Sequence, residues 1–202
     1  MKLYTGMGPN PRVTTIAAAE TGAKVEFVEV DLVSGENRKG DHLARNPAGQ
    51  LPTLELDDGT CIAEITAIAE YLDEKFGGTL IGSTAEERAE TRMWVRRVDL
   101  NICENMANGF RFSDGLPLFE SRAHCIPHAA DDLKAIAAEK LEWLDGLMGD
   151  NDFICGDRFT LADVMLFAFV EFGSATGQPL DAKCERLQAW YARVAARPSI
   201  AG

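Results

Sequence analysis

No Cys-x-x-Cys pair and no apolar run approaching membrane length occur in the 202 residues. Cys61, Cys103, Cys125, Cys155 and Cys184 are odd in number and widely spaced. That spacing excludes a zinc-like cysteine cluster, and the odd count fits reduced thiols better than a disulfide framework. The start MKLYTGMGPNP has no long apolar core of a secretory leader, so a cytoplasmic location is expected. Positive charge is scarce as well: 20 Lys and Arg face 32 Asp and Glu, a net charge of -12. The deficit is even, with 7 cations against 13 acids in residues 1–78 and 13 against 19 thereafter. Such a surface repels phosphate backbones and anionic lipid, which argues against nucleic acid and membranes as partners. A metal site is not expected either. His124 and His128 are four apart, but Pro127 interrupts the helix that would align them.

What is present changes character along the chain. Lys2–Thr5 reads as a strand, Pro11–Glu20 as a helix, and KVEFVEVDL (Lys24–Leu32) as a second strand of alternating pattern. A polar stretch with room for a short helix follows. LPTLEL and TCIAE flank Asp58-Gly59 and form a hairpin. ITAIAEYLDEKFG is an amphipathic helix closed by Gly77-Gly78. This order predicts an α/β domain over residues 1–78, then a linker over 79–86. Residues 87–202 show only helical periodicity. AEERAETRMWVRRVDLNICENMANG, IPHAADDLKAIAAEKLEWLDGLMG, TLADVMLFAFVEFG and CERLQAWYARVAARP each read as one helix of an all-α domain. Thr160 and Asp163 form an acidic capping box ahead of the third of these, a structural role.

The segment NPAGQLPTLELDDGTCIAEITAIAEYL, Asn46–Leu72, resembles the glutathione-binding signature of the cytosolic glutathione transferase family. Asn-Pro, Gly, a residue then Pro opening a strand, an acidic residue opening a helix, and Ala-Ile before Tyr-Leu carry the likeness. The order of domains agrees with it. The resemblance implies a thioredoxin-like N-terminal domain, an all-α C-terminal domain, glutathione as co-substrate, a small hydrophobic electrophile and a homodimer. By the same likeness Leu51 precedes a cis Pro52 and pairs its backbone with the cysteinyl unit of glutathione. Glu64 and Ile65 hold the γ-glutamyl carboxylate at a helix N-terminus. Ile65 stands where the family has Ser, and Thr66 is the candidate replacement for the lost hydroxyl. Gln50 reaches the glycine carboxylate, with Lys39 or His42 adding positive charge.

The turn after the first strand offers no Cys and no Ser, and the family's catalytic Tyr position falls on Gly6–Gly8. GPNPRV is similar to the Pro-Asn turn of some bacterial and fungal members, whose Asn amide lies near the sulfur. Asn10 is therefore the first candidate for stabilising the thiolate and Thr5 the second. Asn10-Pro11 also reads as an N-cap followed by the first helical residue, so capping alone accounts for Asn10 equally well. Met7, Met106, Phe110 and Phe112 are candidates for the electrophile pocket, expected where the two domains meet. The resulting expectation is a glutathione transferase. The alternatives are a glutathione-dependent peroxidase or disulfide reductase, and a non-catalytic ligand- or protein-binding module of the same fold.

Overall fold

The computed structural model describes residues 1–201, which divide into two compact units, Met1–Ser83 and Thr84 onward. In the first unit the elements follow the order β1 (Lys2–Thr5), α1 (Pro9–Thr21), β2 (Glu26–Glu29), α2 (Gly40–Arg45), β3 (Thr53–Glu55), β4 (Cys61–Ala63) and α3 (Ile65–Phe76). A single 3-10 turn, Glu36–Arg38, precedes α2. The strands lie in the order β2-β1-β3-β4, with β1 and β2 parallel and the other pairs antiparallel. The β1–β2 pair needs a crossover, and α1 supplies it. The β3–β4 pair turns tightly at Asp58-Gly59, where Gly59 takes φ 84° and the Thr60 N–H donates to Asp58 Oδ1 at 2.9 Å.

Alternation along β1 sorts the two faces of the sheet. Leu3 points into a core with Leu54, Ala18 of α1, and Ile68 and Leu72 of α3. Tyr4 points the other way, against Val30 and Leu51. Gly77 ends α3 at φ 71°, as the Gly-Gly pair predicts. Leu80 and Ile81 are buried, and both donate backbone N–H groups to the carboxylate of Asp73. The segment read as a linker is thus partly tied to the first unit.

The second unit is helical: α4 (Ala85–Val98), α5 (Glu104–Arg111), α6 (Leu116–Phe119), α7 (Ala130–Met148), α8 (Leu161–Ala175), α9 (Glu185–Ala195) and α10 (Pro198–Ala201). Thr84 and Glu87 make a reciprocal capping box at the start of α4. The long helix expected from Ala85 is broken at Asp99–Cys103 by a π-helical turn, where the Glu104 N–H donates to Asp99 O. Side chains within and just beyond this turn compete for the carbonyls. Asn101 Nδ2 donates to Arg97 O at 2.8 Å, and Asn105 Nδ2 donates to Asn101 O at 2.9 Å.

Helix α8 is buried along most of its length, from Leu161 to Val170. Its first turn is organised by Asp163, which is completely buried. Oδ1 accepts from the Ile154 N–H and from Trp190 Nε1, each at 2.9 Å. Oδ2 accepts from the Thr160 N–H at 2.9 Å and the Thr160 hydroxyl at 3.2 Å. One carboxylate thereby joins the preceding loop, the helix start and α9. Burial raises the pKa of Asp163 from 3.8 to about 6, against the opposing pull of these four donors.

Candidate active site

Strand register brings the predicted residues together. Tyr4 lies opposite Thr53, and Thr53 opposite Ala63. Because β3 runs antiparallel to both neighbours, the chain leaves β1, enters β3 and leaves β4 at the same end of the sheet. Gly6–Asn10, Gln50–Pro52 and Glu64–Thr66 are therefore neighbours. Helices α1 and α3 both begin at this end, so the positive poles of two helix dipoles converge there.

The close approach is visible at Gly6. A Cβ added to it would lie 2.8 Å from Val30 O and 3.1 Å from Leu51 Cδ1. Only glycine lets the β1–α1 turn sit this near the Leu51 loop. The Leu51–Pro52 peptide bond is cis. Leu51 is 7% exposed, and neither its N–H nor its C=O is hydrogen-bonded among the described residues. A buried backbone pair left open in this way calls for a partner.

The start of α1 differs from the sequence reading. Gly8, at φ 112°, takes the N-cap position, Pro9 is the first helical residue, and Asn10 is the second. Asn10 makes no capping hydrogen bond, so capping does not account for it. Gly8 can take a positive φ without penalty, and Pro9 is already preset for the first helical position, which moves the start forward from Pro11. Pro9 and Pro11 have no N–H, and the Arg12 N–H donates to Gly8 O at 3.4 Å. The exposed Asn10, with its backbone N–H and side-chain amide, is thus the donor left at this helix end. Thr5 is the buried last residue of β1, and its carbonyl accepts from Val30 N–H at 2.9 Å. Tyr4 is committed elsewhere. Its hydroxyl donates to Glu55 Oε2 at 2.8 Å, and burial, followed by that hydrogen bond, raises its pKa.

At α3 the first backward bond is Ile68 N–H to Glu64 O at 3.0 Å, which leaves the N–H groups of Ile65, Thr66 and Ala67 facing outward. Glu64 has φ 70° and ψ 127°, a positive-φ conformation that costs a non-glycine residue about 1–3 kcal/mol. Strain of this kind, held beside a helix N-terminus with open donors, is a recurrent mark of ligand sites.

The loop before Pro52 is braced from below. Asn37 Nδ2 donates to Gly49 O at 2.7 Å, and Asn46 Nδ2 donates to Gln50 O at 3.0 Å. His42 Nε2 is 2.9 Å from Gln50 O. Gln50 and Lys39 are exposed, as a contact to a carboxylate requires, whereas His42 is 3% exposed. His42 was expected to lend charge at the surface, but its ring lies under the loop on the inner side of α2. Arg38, which the sequence reading passed over, is exposed and donates from a guanidinium nitrogen to Ala48 O at 3.3 Å. Its place beside Lys39 in a polar loop was the only available signal.

Among the residues expected at an electrophile pocket, Met7 is 59% exposed beside Asn10. Phe110 and Phe112 are half-buried in the helical unit, Phe110 packing edge-on against Phe172 at 5.0 Å. Met106 is a correction: at 1% exposure it is a core residue. Its sulfur fills the space where a Cβ on Gly173 would sit. All five cysteines are free thiols, and burial raises the pKa of Cys61, Cys103, Cys155 and Cys184. None of those four has the lowered pKa of a nucleophilic thiol.

A β-α-β-α-β-β-α unit with a cis-Pro loop at the end of the sheet where two helices start, followed by a helical unit, defines a thioredoxin-like domain followed by an all-α domain. The sequence profile described as "Glutathione S-transferase, N-terminal domain" matches residues 1–74, and the C-terminal-domain profile matches residues 127–193. Glutathione S-transferase 2 of Saccharomyces cerevisiae is 33% identical, over 97% of this chain and 85% of its own length. Glutathione S-transferase GstA of Escherichia coli O157:H7 is 31% identical, over 99% of this chain and 95% of its own length. The crystal structure of a glutathione S-transferase domain-containing protein from Marinobacter aquaeolei VT8 superposes with a TM-score of 0.93. It has 40% identity and covers 99% of this chain and 100% of that one. The chain belongs to the glutathione S-transferase family, with that family's fold, and is an enzyme of that transferase class.

Proposed function

We propose that this enzyme binds glutathione in extended form along Leu51, lowers the pKa of its thiol at Asn10, and transfers the thiolate to a small hydrophobic electrophile. The open N–H and C=O of the buried Leu51 carry this reading, since they match the backbone of an added strand. The N-terminus of α3 takes the γ-glutamyl carboxylate through the N–H groups of Ile65 and Thr66, with the Thr66 hydroxyl as a further donor and Glu64 facing the amine. Gln50 and Lys39, joined by Arg38, take the glycine carboxylate. The helix starts suit these anions because each presents unpaired donors and a positive dipole end.

Thiolate formation is energetically within reach of one residue. Lowering a thiol pKa of about 8.5 by two units requires roughly 2.7 kcal/mol. A hydrogen bond to a charged acceptor supplies about 1.5–3 kcal/mol, and a helix N-terminus about 0.3–1 kcal/mol more. Asn10 offers both, with Thr5 as the second donor. Met7, exposed in the turn before α1, is the apolar contact that we assign to the electrophile within the first unit. A cytoplasmic homodimer is the form in which we expect the enzyme to act.

Calorimetric titration of glutathione into the wild type and Asn10→Ala, with thiolate absorbance read on the same samples, tests this. Binding to both with the thiolate signal lost only from Asn10→Ala supports the mechanism. An unchanged signal removes Asn10 from it. Absence of binding to the wild type overturns this reading of the site.

A further inference from the structure

We propose that His42 is a positioning residue for the glutathione site and acts through the backbone of Gln50, an inference that rests on the reading above. The Gln50 carbonyl can only accept, so the 2.9 Å contact places the hydrogen on His42 Nε2. The same oxygen accepts from Asn46 Nδ2 at 3.0 Å. Two side chains thus hold the carbonyl that immediately precedes the open Leu51 N–H. Gln50 and Leu51 are the two residues assigned to the glycine carboxylate and the cysteinyl backbone. A rotation of this one peptide group would move both contacts together.

The other ring nitrogen shows that His42 is not there for stability alone. His42 Nδ1 is buried without a hydrogen-bond partner among the described residues. An unpaired buried acceptor is a cost that an apolar ring of similar shape would avoid. The environment would suit such a ring, since Tyr4 packs edge-on against His42 with centroids 6.4 Å apart. Phenylalanine would fill the space and remove the orphaned nitrogen, but it could not hold Gln50. The imidazole therefore gives up some stability for a fixed loop carbonyl.

Three variants test this: His42→Phe, His42→Gln, whose amide nitrogen can replace Nε2, and Asn46→Ala as a second way to loosen the same oxygen. His42→Phe should raise the KM for glutathione by about three- to tenfold, the worth of one hydrogen bond, with kcat at saturating glutathione unchanged and Tm equal or higher. His42→Gln should restore most of the wild-type KM. The order parameter of the Leu51 amide from 15N relaxation, measured without glutathione, should fall in His42→Phe and Asn46→Ala. An unchanged KM with an unchanged Leu51 order parameter overturns the positioning role, as does a KM change accompanied by a matching fall in Tm. If the wild type does not bind glutathione, the function proposed above fails. The order parameter then still decides whether His42 holds the Gln50–Leu51 peptide.

Discussion

Asp163→Ala removes one buried carboxylate and leaves three N–H donors, on Ile154, Thr160 and Trp190, without an acceptor. Each orphaned buried donor costs about 1–3 kcal/mol, so the loss is about 3–9 kcal/mol against a typical total of about 5–15 kcal/mol. The variant should be unfolded or close to it in the helical unit. Urea denaturation followed by tryptophan fluorescence reads this, since Trp94, Trp143 and Trp190 all lie in the helical unit. Asp163→Asn separates hydrogen bonding from charge. Its oxygen can still serve Ile154 and Trp190, while its amide faces the Thr160 N–H donor to donor, a penalty for one orphan only. The charge then appears as a pH dependence. Asp163 has a folded pKa of about 6 against 3.8 when exposed. The folded state therefore holds the proton more tightly, and this contribution is complete below about pH 4 and lost as pH rises through about 6. The difference corresponds to about 3 kcal/mol by linkage. Relative to Asp163→Asn, which does not titrate, the wild type should lose stability between pH 4 and pH 7. A stability difference that is flat over this range, or that grows with pH, would show that the four donors outweigh burial and refute the reasoning. A loss under about 1 kcal/mol for Asp163→Ala would refute the orphan count.

Two further substitutions test the geometry of the first unit. Gly6→Ala introduces a Cβ 2.8 Å from the Val30 carbonyl, a backbone atom that cannot swing aside, and should cost about 1–3 kcal/mol in urea denaturation while weakening glutathione binding through Leu51. Glu64→Gly relieves the φ 70° conformation and should raise stability by about 1 kcal/mol while lowering glutathione affinity. A destabilised Glu64→Gly would mean that no strain is held there.

Much of the first unit could be read from the chain. The β3–β4 hairpin followed from Asp58-Gly59, and the end of α3 from Gly77, because each rests on local backbone preference that no distant contact overrides. The convergence of Asn10, Leu51 and Glu64 was legible through family resemblance, but its physical cause is the strand register, which one sequence does not display. The start of α1 was misplaced because Asn-Pro is a strong local signal, and Gly8-Pro9, two residues earlier, is a stronger one. His42 was taken for a surface cation because nothing in the spacing of a polar loop tells which side chain folds beneath it. Met106 resembles its neighbours Phe110 and Phe112 in hydropathy, and only packing against Gly173 separates core from lining. The π-helical turn at Asp99–Cys103 was hidden because its residues fit an ordinary helix equally well.

The pair of prolines in the first turn of α1 bears on which anions the enzyme can hold. At α3 successive amides form a cradle suited to several oxygens at once, the geometry that captures carboxylate or phosphate. Helix α1 has had two of its amides deleted and keeps a single point of contact at Asn10. Sulfate, phosphate and free carboxylates gain less from the donors of one residue than from a row of successive amides, whereas a large, weakly hydrated sulfur needs no more than one residue. Small inorganic anions should therefore crowd the α3 end and leave the α1 end clear, so that under the function proposed above the thiol of glutathione meets few competitors there.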